Sequence, residues 1–187
     1  MKKITKKIST ATDRSTAINA VKNRSGSQLI RFPAVPVPVQ FFISLAGFLF
    51  LLNFLWESLH GLLYLDHQVM PAGSYVPMML EMAGYDTLAV SAFYLFISRL
   101  NNTLLWPLTL INISIFSLIA LLMAYGTEYS AVHILHQWDY RPSMPTVLGV
   151  GLFPLFQLTA TGLLAMFFSG KIASVEIPKP TAIPQRR

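Results

Sequence analysis

Two acidic residues have no basic neighbour in the sequence to neutralise them. Glu57 follows the apolar run Val39–Trp56, Asp86 lies inside Val76–Ile97, and no Lys or Arg occurs between Phe41 and Ser98. An ionisable group at membrane depth costs roughly 2.5–3.5 kcal/mol, so such residues are functional candidates. With 1.5 Å of rise per residue, Glu57 would lie about 24 Å into a span that begins near Phe41. Asp86 would lie about 13 Å below the far boundary, and Glu81 about 6 Å. Both carboxyls must then be protonated, hydrogen-bonded, metal-bound or facing water. Asn53, Glu57, His60 and Tyr64 fall at i, i+4, i+7 and i+11, which predicts one polar stripe on a helix face. Further along, Asn112 is expected near the middle of a span, Glu128 at a span's outer end, and Gln157 near the centre of the last span, after a helix-loosening Pro154. Asn53, Asn112 and Gln157 could equally be hydrogen-bonding glue between helices. Trp138, Tyr140 and Trp106 could be interface anchors.

These residue types allow three kinds of chemistry. Glu57-Ser58-Leu59-His60 is a Glu-x-x-His unit, the kind that supplies carboxylate-bridged di-metal sites in bundles. Glu81, Asp86, Glu128, His133 and His136 could complete its shell, although such sites use two units and the chain has one. Alternatively, a buried carboxylic acid can protonate an alkene while a second carboxylate removes a proton, shifting a double bond in an isoprenoid-like or sterol-like lipid. Trp56, Tyr85, Trp138 and Tyr140 could then stabilise a cation. The third kind is non-enzymatic: a small subunit, an assembly factor or a proton-conducting bundle. Phosphate-binding loops, Gly-x-Ser-x-Gly elbows and His-Glu-x-x-His motifs are missing. Cysteine is absent too, which removes disulfides, thiolate metal sites and a cysteine nucleophile.

The elements that must position these residues follow from hydropathy. Of 187 residues 53% are hydrophobic and 12% charged, about half the charge of a soluble domain. Four stretches of about 20 apolar residues predict membrane helices over about 39–65, 76–98, 104–126 and 147–168. Met70-Pro71-Ala72-Gly73-Ser74, a tight turn at Arg99-Leu100-Asn101-Asn102, and Arg141-Pro142-Ser143-Met144-Pro145 separate them. A topology with both termini inside places 13 of the 14 Lys and Arg on one side, leaving Arg141 alone on the other. The expected fold is therefore an all-α, four-helix integral membrane bundle. Residues 1–38 form a disordered basic cytoplasmic tail made stiff by Pro33, Pro36 and Pro38, 39–168 the membrane domain, and 169–187 a second cytoplasmic tail. Nucleic-acid binding is not needed to explain the basic ends.

The order of motifs resembles a group of small bacterial multi-span membrane proteins with no assigned activity. The matching segments are Asn53-Phe54-Leu55-Trp56-Glu57, Gly84-Tyr85-Asp86, Glu128, Trp138-Asp139-Tyr140, Met144-Pro145 and Pro154-Leu155-Phe156-Gln157. Tyr85 intervenes between the Gly and Asp of that pattern, and Phe156 replaces a Leu. The resemblance spans roughly residues 50–160 and implies a bacterial inner-membrane protein, with no particular reaction. It favours Glu57, Asp86, Glu128, Trp138, Tyr140 and Gln157 as a site over a lone histidine motif. The expectation is a polar pocket in the outer half, with Glu57, Asp86 and Glu128 as catalytic candidates. Asn53 and Gln157 would bind a lipid-like ligand beneath a lid of Trp138 and Tyr140. No resident cofactor is identified. The bilayer is the expected partner, and the chain could work in a homo-oligomer or a larger membrane complex.

Overall fold

A computed structural model describes residues 36–173, so the N-terminal tail to residue 35 and the C-terminal tail from residue 174 lie outside it. Four long helices dominate: α1 Val37–His60, α2 Ala72–Asn101, α3 Leu110–Tyr129 and α4 Leu152–Ile172. Three helical stretches, Val37–Leu63, Leu110–Ile134 and Leu152–Ile172, are long and apolar enough to cross a membrane. The 30-residue α2, which carries Glu81, Asp86 and Arg99, is not among them.

Proline and glycine placement explains the ends. Pro36 caps α1 with extended backbone, and Pro38 sits in the first turn, where its missing N–H removes no hydrogen bond. Pro38 therefore belongs to the helix rather than to the approach predicted from it, and Pro33 lies outside the described residues. Pro71 caps α2 in the same way. At its other end α2 runs through the predicted turn and stops at Asn102, whose φ of 50° is the left-handed C-cap geometry that Asn tolerates. Thr109 starts α3 by accepting from the Asn112 amide at 3.3 Å. The apolar stretch predicted from residue 104 thus begins outside the helix, and Asn112 is at the helix start rather than its centre. It exchanges side-chain hydrogen bonds with Asn101 at the end of α2.

Residues 147–151, predicted as the start of the last span, are instead a short hairpin. Thr146–Val147 (β1) pairs antiparallel with Val150–Gly151 (β2). Leu148 and Gly149 turn it with φ of 51° and 80°, the positive values a tight two-residue hairpin needs. Consequently Pro154 falls in the first turn of α4, where it costs no hydrogen bond, and the expected loosening at Gln157 has no cause there.

α1 packs along both α2 and α4, and α3 lies against α4. The apolar interior is filled by Leu45, Leu49, Val90, Phe116 and Ala165, all buried. Gly162 of α4 makes this possible: a Cβ there would run into the Phe116 ring and lie 3.1 Å from Val90. α2 and α3 meet near their connection, where the Phe93 and Phe116 rings stand 6.5 Å apart. Trp106 also belongs to this interior. It is buried, stacks on Tyr94 at 5.0 Å and donates to the Tyr94 carbonyl, so it is a core residue rather than an interface anchor.

Candidate functional site

At the other end, two loops are stitched together over the helix tips. Leu65 N donates to Asp139 O at 3.0 Å and Arg141 N to Leu63 O at 2.9 Å, pairing Tyr64 with Tyr140 as extended segments. α1 stops at His60 and a 3-10 turn, Gly61–Leu63, leads into this pairing. Tyr64 is therefore off the helix whose face it was predicted to extend, yet it still reaches the same space. Alternation along the extended strand puts Trp138 and Tyr140 on one side, with Asp139 exposed on the other.

Three donors then converge on one oxygen of Glu128, which is 6% exposed. The hydroxyls of Tyr64 and Tyr140 donate to Oε1 at 2.5 and 2.9 Å, and the Trp138 indole donates at 3.4 Å. Tyr140 in turn accepts from the Gly151 amide at 2.9 Å, which ties the hairpin to the site. Burial pushes both phenols above their ordinary range, and Glu128 adds to this, so they remain donors at neutral pH.

A second cluster forms around Gln157 of α4. Its Nε2 donates to Glu57 Oε1 of α1 at 2.7 Å and to Asp86 Oδ2 of α2 at 2.5 Å, with Asn53 Oδ1 at 3.4 Å. Thr161, one turn further along α4, donates to Asn53 Oδ1 at 2.9 Å. The Asn53 amide nitrogen is fully buried and has no partner among the described residues.

The clusters share a cavity of about 240 Å³. Glu57, Asp86, Glu128, Gln157 and Trp138 line it, as do His60, Tyr64 and His67. Asn53 and Tyr140 are not among the lining residues, and each bonds one that is: Asn53 accepts from Gln157 and Tyr140 donates to Glu128. The remaining wall is apolar and rich in methionine: Met78, Met79 and Met82 from α2, Met123 from α3. Tyr85, Met123 and Thr127 are exposed as well as lining, which places the mouth between α2 and α3. No Lys or Arg lines the cavity.

Sequence reasoning missed Thr161, His67 and the methionines. Thr161 could have been found at i+4 from Gln157, and His67 at i+7 from His60, a spacing that ordinary boundary residues also show. The methionines carried no polar signal.

Of the residues proposed to complete a metal shell, Asp86 and Glu128 line the cavity with Glu57 and His60, whereas Glu81, His133 and His136 stand apart. Glu81 accepts from Tyr85 on the exposed face of α2, and His133 bonds the Gly149 carbonyl. Neither these two nor His136 lines the cavity. His60 Nε2 stands 3.9 Å from Glu57 Oε2, while His60 Nδ1 faces the Trp56 carbonyl at 3.0 Å. Among the described residues, no three His, Asp or Glu side chains are grouped to hold a metal ion.

No known protein family, characterised protein or solved structure matches the chain.

Proposed function

We propose that the chain is a four-helix integral membrane protein of a bacterial inner membrane, with both termini cytoplasmic. Its cavity binds an apolar, lipid-like molecule of isoprenoid type, and Glu57 and Asp86 perform acid–base chemistry on it. One observation carries this reading. Two carboxyls from different helices converge on a single Gln157 nitrogen, in a cavity without a Lys or Arg. Such a pair is favoured as one acid and one carboxylate sharing a proton. An acid beside a base is what a double-bond shift needs: one delivers a proton to an alkene carbon, the other removes one from an allylic carbon. The methionine-lined wall and the mouth between α2 and α3 support entry from the side.

Solvent deuterium tests the chemistry whichever lipid is bound. The protein is purified with its lipids in a mild neutral detergent, incubated in heavy water, and its lipids are extracted and weighed. The expected result is a lipid that gains carbon-bound deuterium with the wild type and none with Glu57→Gln/Asp86→Asn. Wild-type protein that leaves every retained lipid unlabelled contradicts the acid–base reading.

A non-enzymatic proton path is less well supported. Beyond Thr161 the interior is filled by Leu45, Val90, Phe116 and Ala165, which give a proton no relay toward the opposite end.

A further inference from the structure

Resting on that reading, we propose that the polar end of the ligand is a protonated amine, carried on a long apolar chain. The cavity is short of donors and of positive charge, and hydrogen-bond counting shows where.

A backbone carbonyl can only accept. His60 Nδ1 lies 3.0 Å from the Trp56 carbonyl, and His67 Nδ1 lies 3.0 Å from the Gly61 carbonyl. Both rings therefore carry a proton on Nδ1, and a ring that is neutral offers a lone pair at Nε2. Burial holds His67 below the ordinary histidine value, which keeps it neutral. His67 and three carboxyls thus present acceptors to the cavity.

The donors do not match them. Tyr64, Tyr140 and Trp138 all spend their hydrogen on Glu128 Oε1. Beyond the proton they share, Glu57 and Asp86 have only the one amide group of Gln157 between them. His60 Nε2, at 3.9 Å from Glu57, is beyond hydrogen-bond distance. A proton-sharing carboxyl pair still carries one negative charge, and with no Lys or Arg in the lining it is balanced by a ligand that brings a positive charge and further donors. A primary ammonium brings three N–H donors and one positive charge. The rings of Tyr64 and Trp138, 5.8 Å apart, border the same space and add cation–π attraction.

The rest of the cavity selects an amphiphile over a free amine. Met78, Met82, Met123, Ala89 and Leu158 form apolar wall, and thioethers adapt to a flexible chain. At about 240 Å³ the space is below the ~300–1,000 Å³ typical of whole small-molecule sites. It therefore takes the head and the first part of a chain, and the remainder leaves through the mouth between α2 and α3.

Thermal unfolding and native mass spectrometry of the full chain in a neutral maltoside detergent test this with four probes. They are dodecylamine, dodecanol, dodecyltrimethylammonium and butylamine. The expected result is dodecylamine binding at least about tenfold tighter than the other three, the worth of a charge-assisted hydrogen bond. Glu57→Gln/Asp86→Asn should erase that preference and keep the weaker binding of dodecanol. Met123→Trp, at the mouth and away from the carboxyls, should weaken dodecylamine and dodecanol alike. Dodecanol binding as tightly as dodecylamine overturns the amine head and leaves the lipid-binding cavity standing. Dodecyltrimethylammonium binding equally well overturns the need for N–H donors, and butylamine binding equally well overturns the amphiphile. An amine preference that survives in the double variant places the site elsewhere and overturns the proposal. Failure of dodecylamine and dodecanol alike overturns the proposal and the lipid-binding reading together.

Discussion

Gln157 has two amide hydrogens and three oxygens around its nitrogen. The two short contacts go to Glu57 and Asp86, leaving Asn53 Oδ1 at 3.4 Å, while the single Thr161 hydroxyl hydrogen is shared between Asn53 Oδ1 at 2.9 Å and the Gln157 carbonyl at 2.8 Å. Replacing Gln157 with Leu keeps the bulk and strips both carboxyls of their donor. Unfolding in detergent should show a loss of about 2–4 kcal/mol, the cost of leaving buried polar groups unsatisfied. Glu128 is the contrasting case, with three donors on one oxygen. Tyr140→Phe removes one of them and leaves the Gly151 amide without its acceptor, for an expected loss of about 1–3 kcal/mol. The phenols also set an alkaline limit. Burial holds Tyr64 and Tyr140 above their ordinary value of 10.0, so their contribution is complete below that pH. It should decline as the pH rises beyond it, because the unfolded chain ionises first. A pH series of unfolding midpoints checks this, and the alkaline decline should be smaller in Tyr140→Phe. At this scale the sequence was informative where charge and depth conflicted. Glu57, Asp86 and Gln157, read from three separate segments, do come together. The sequence was uninformative where a residue acts through what surrounds it. Four methionines gave no sign of their role, Thr161 showed only its spacing from Gln157, and Trp106 looked like an anchor because burial by a neighbouring turn cannot be read from an aromatic type alone.

The helices position these groups through a few contacts of fixed size. α4 approaches α2 and α3 only because Gly162 has no side chain. Gly162→Leu should push the Phe116 ring and Val90 aside and cost about 1–3 kcal/mol or more, by overpacking. The same change at Gly170, where a Cβ would meet nothing within 4 Å, should be nearly neutral in the same unfolding assay. Element type was legible from hydropathy, since runs of 20 apolar residues leave few alternatives to helices. Element ends were less legible, for local reasons. Pro38 and Pro154 look like breaks but fit a first turn. Asn102 lets α2 run to Asn101, into a segment read as a turn. Residues 147–151 are apolar enough for a span, yet Leu148 and Gly149 adopt the positive φ of a hairpin. That hairpin matters for the site, because its Gly151 amide fixes Tyr140.

At the scale of the whole molecule, charge and cavity point the same way along the helices. The carboxyl cavity lies at the end capped by the 61–71 and 130–151 loops, where Arg141 is the only Lys or Arg among the described residues. Arg99 and Lys171 belong to the last turns of α2 and α4, toward the opposite end. The proposed topology puts that opposite end in the cytoplasm. The chain has no cysteine, so single cysteines report cleanly. Cysteine at Gln137 should react with a membrane-impermeant maleimide in intact cells, and cysteine at Asn102 only after permeabilisation. The reverse pattern would overturn the orientation. The proposed function requires that the space between Glu57, Asp86 and Glu128 hold a lipid-like molecule. Native mass spectrometry of the protein released from a mild neutral detergent tests it most directly. The predicted spectrum shows an added mass in the lipid range on the wild type, and much less of it on Glu57→Gln/Asp86→Asn. A wild-type chain that flies bare under conditions where annular lipids survive on a control membrane protein would contradict it.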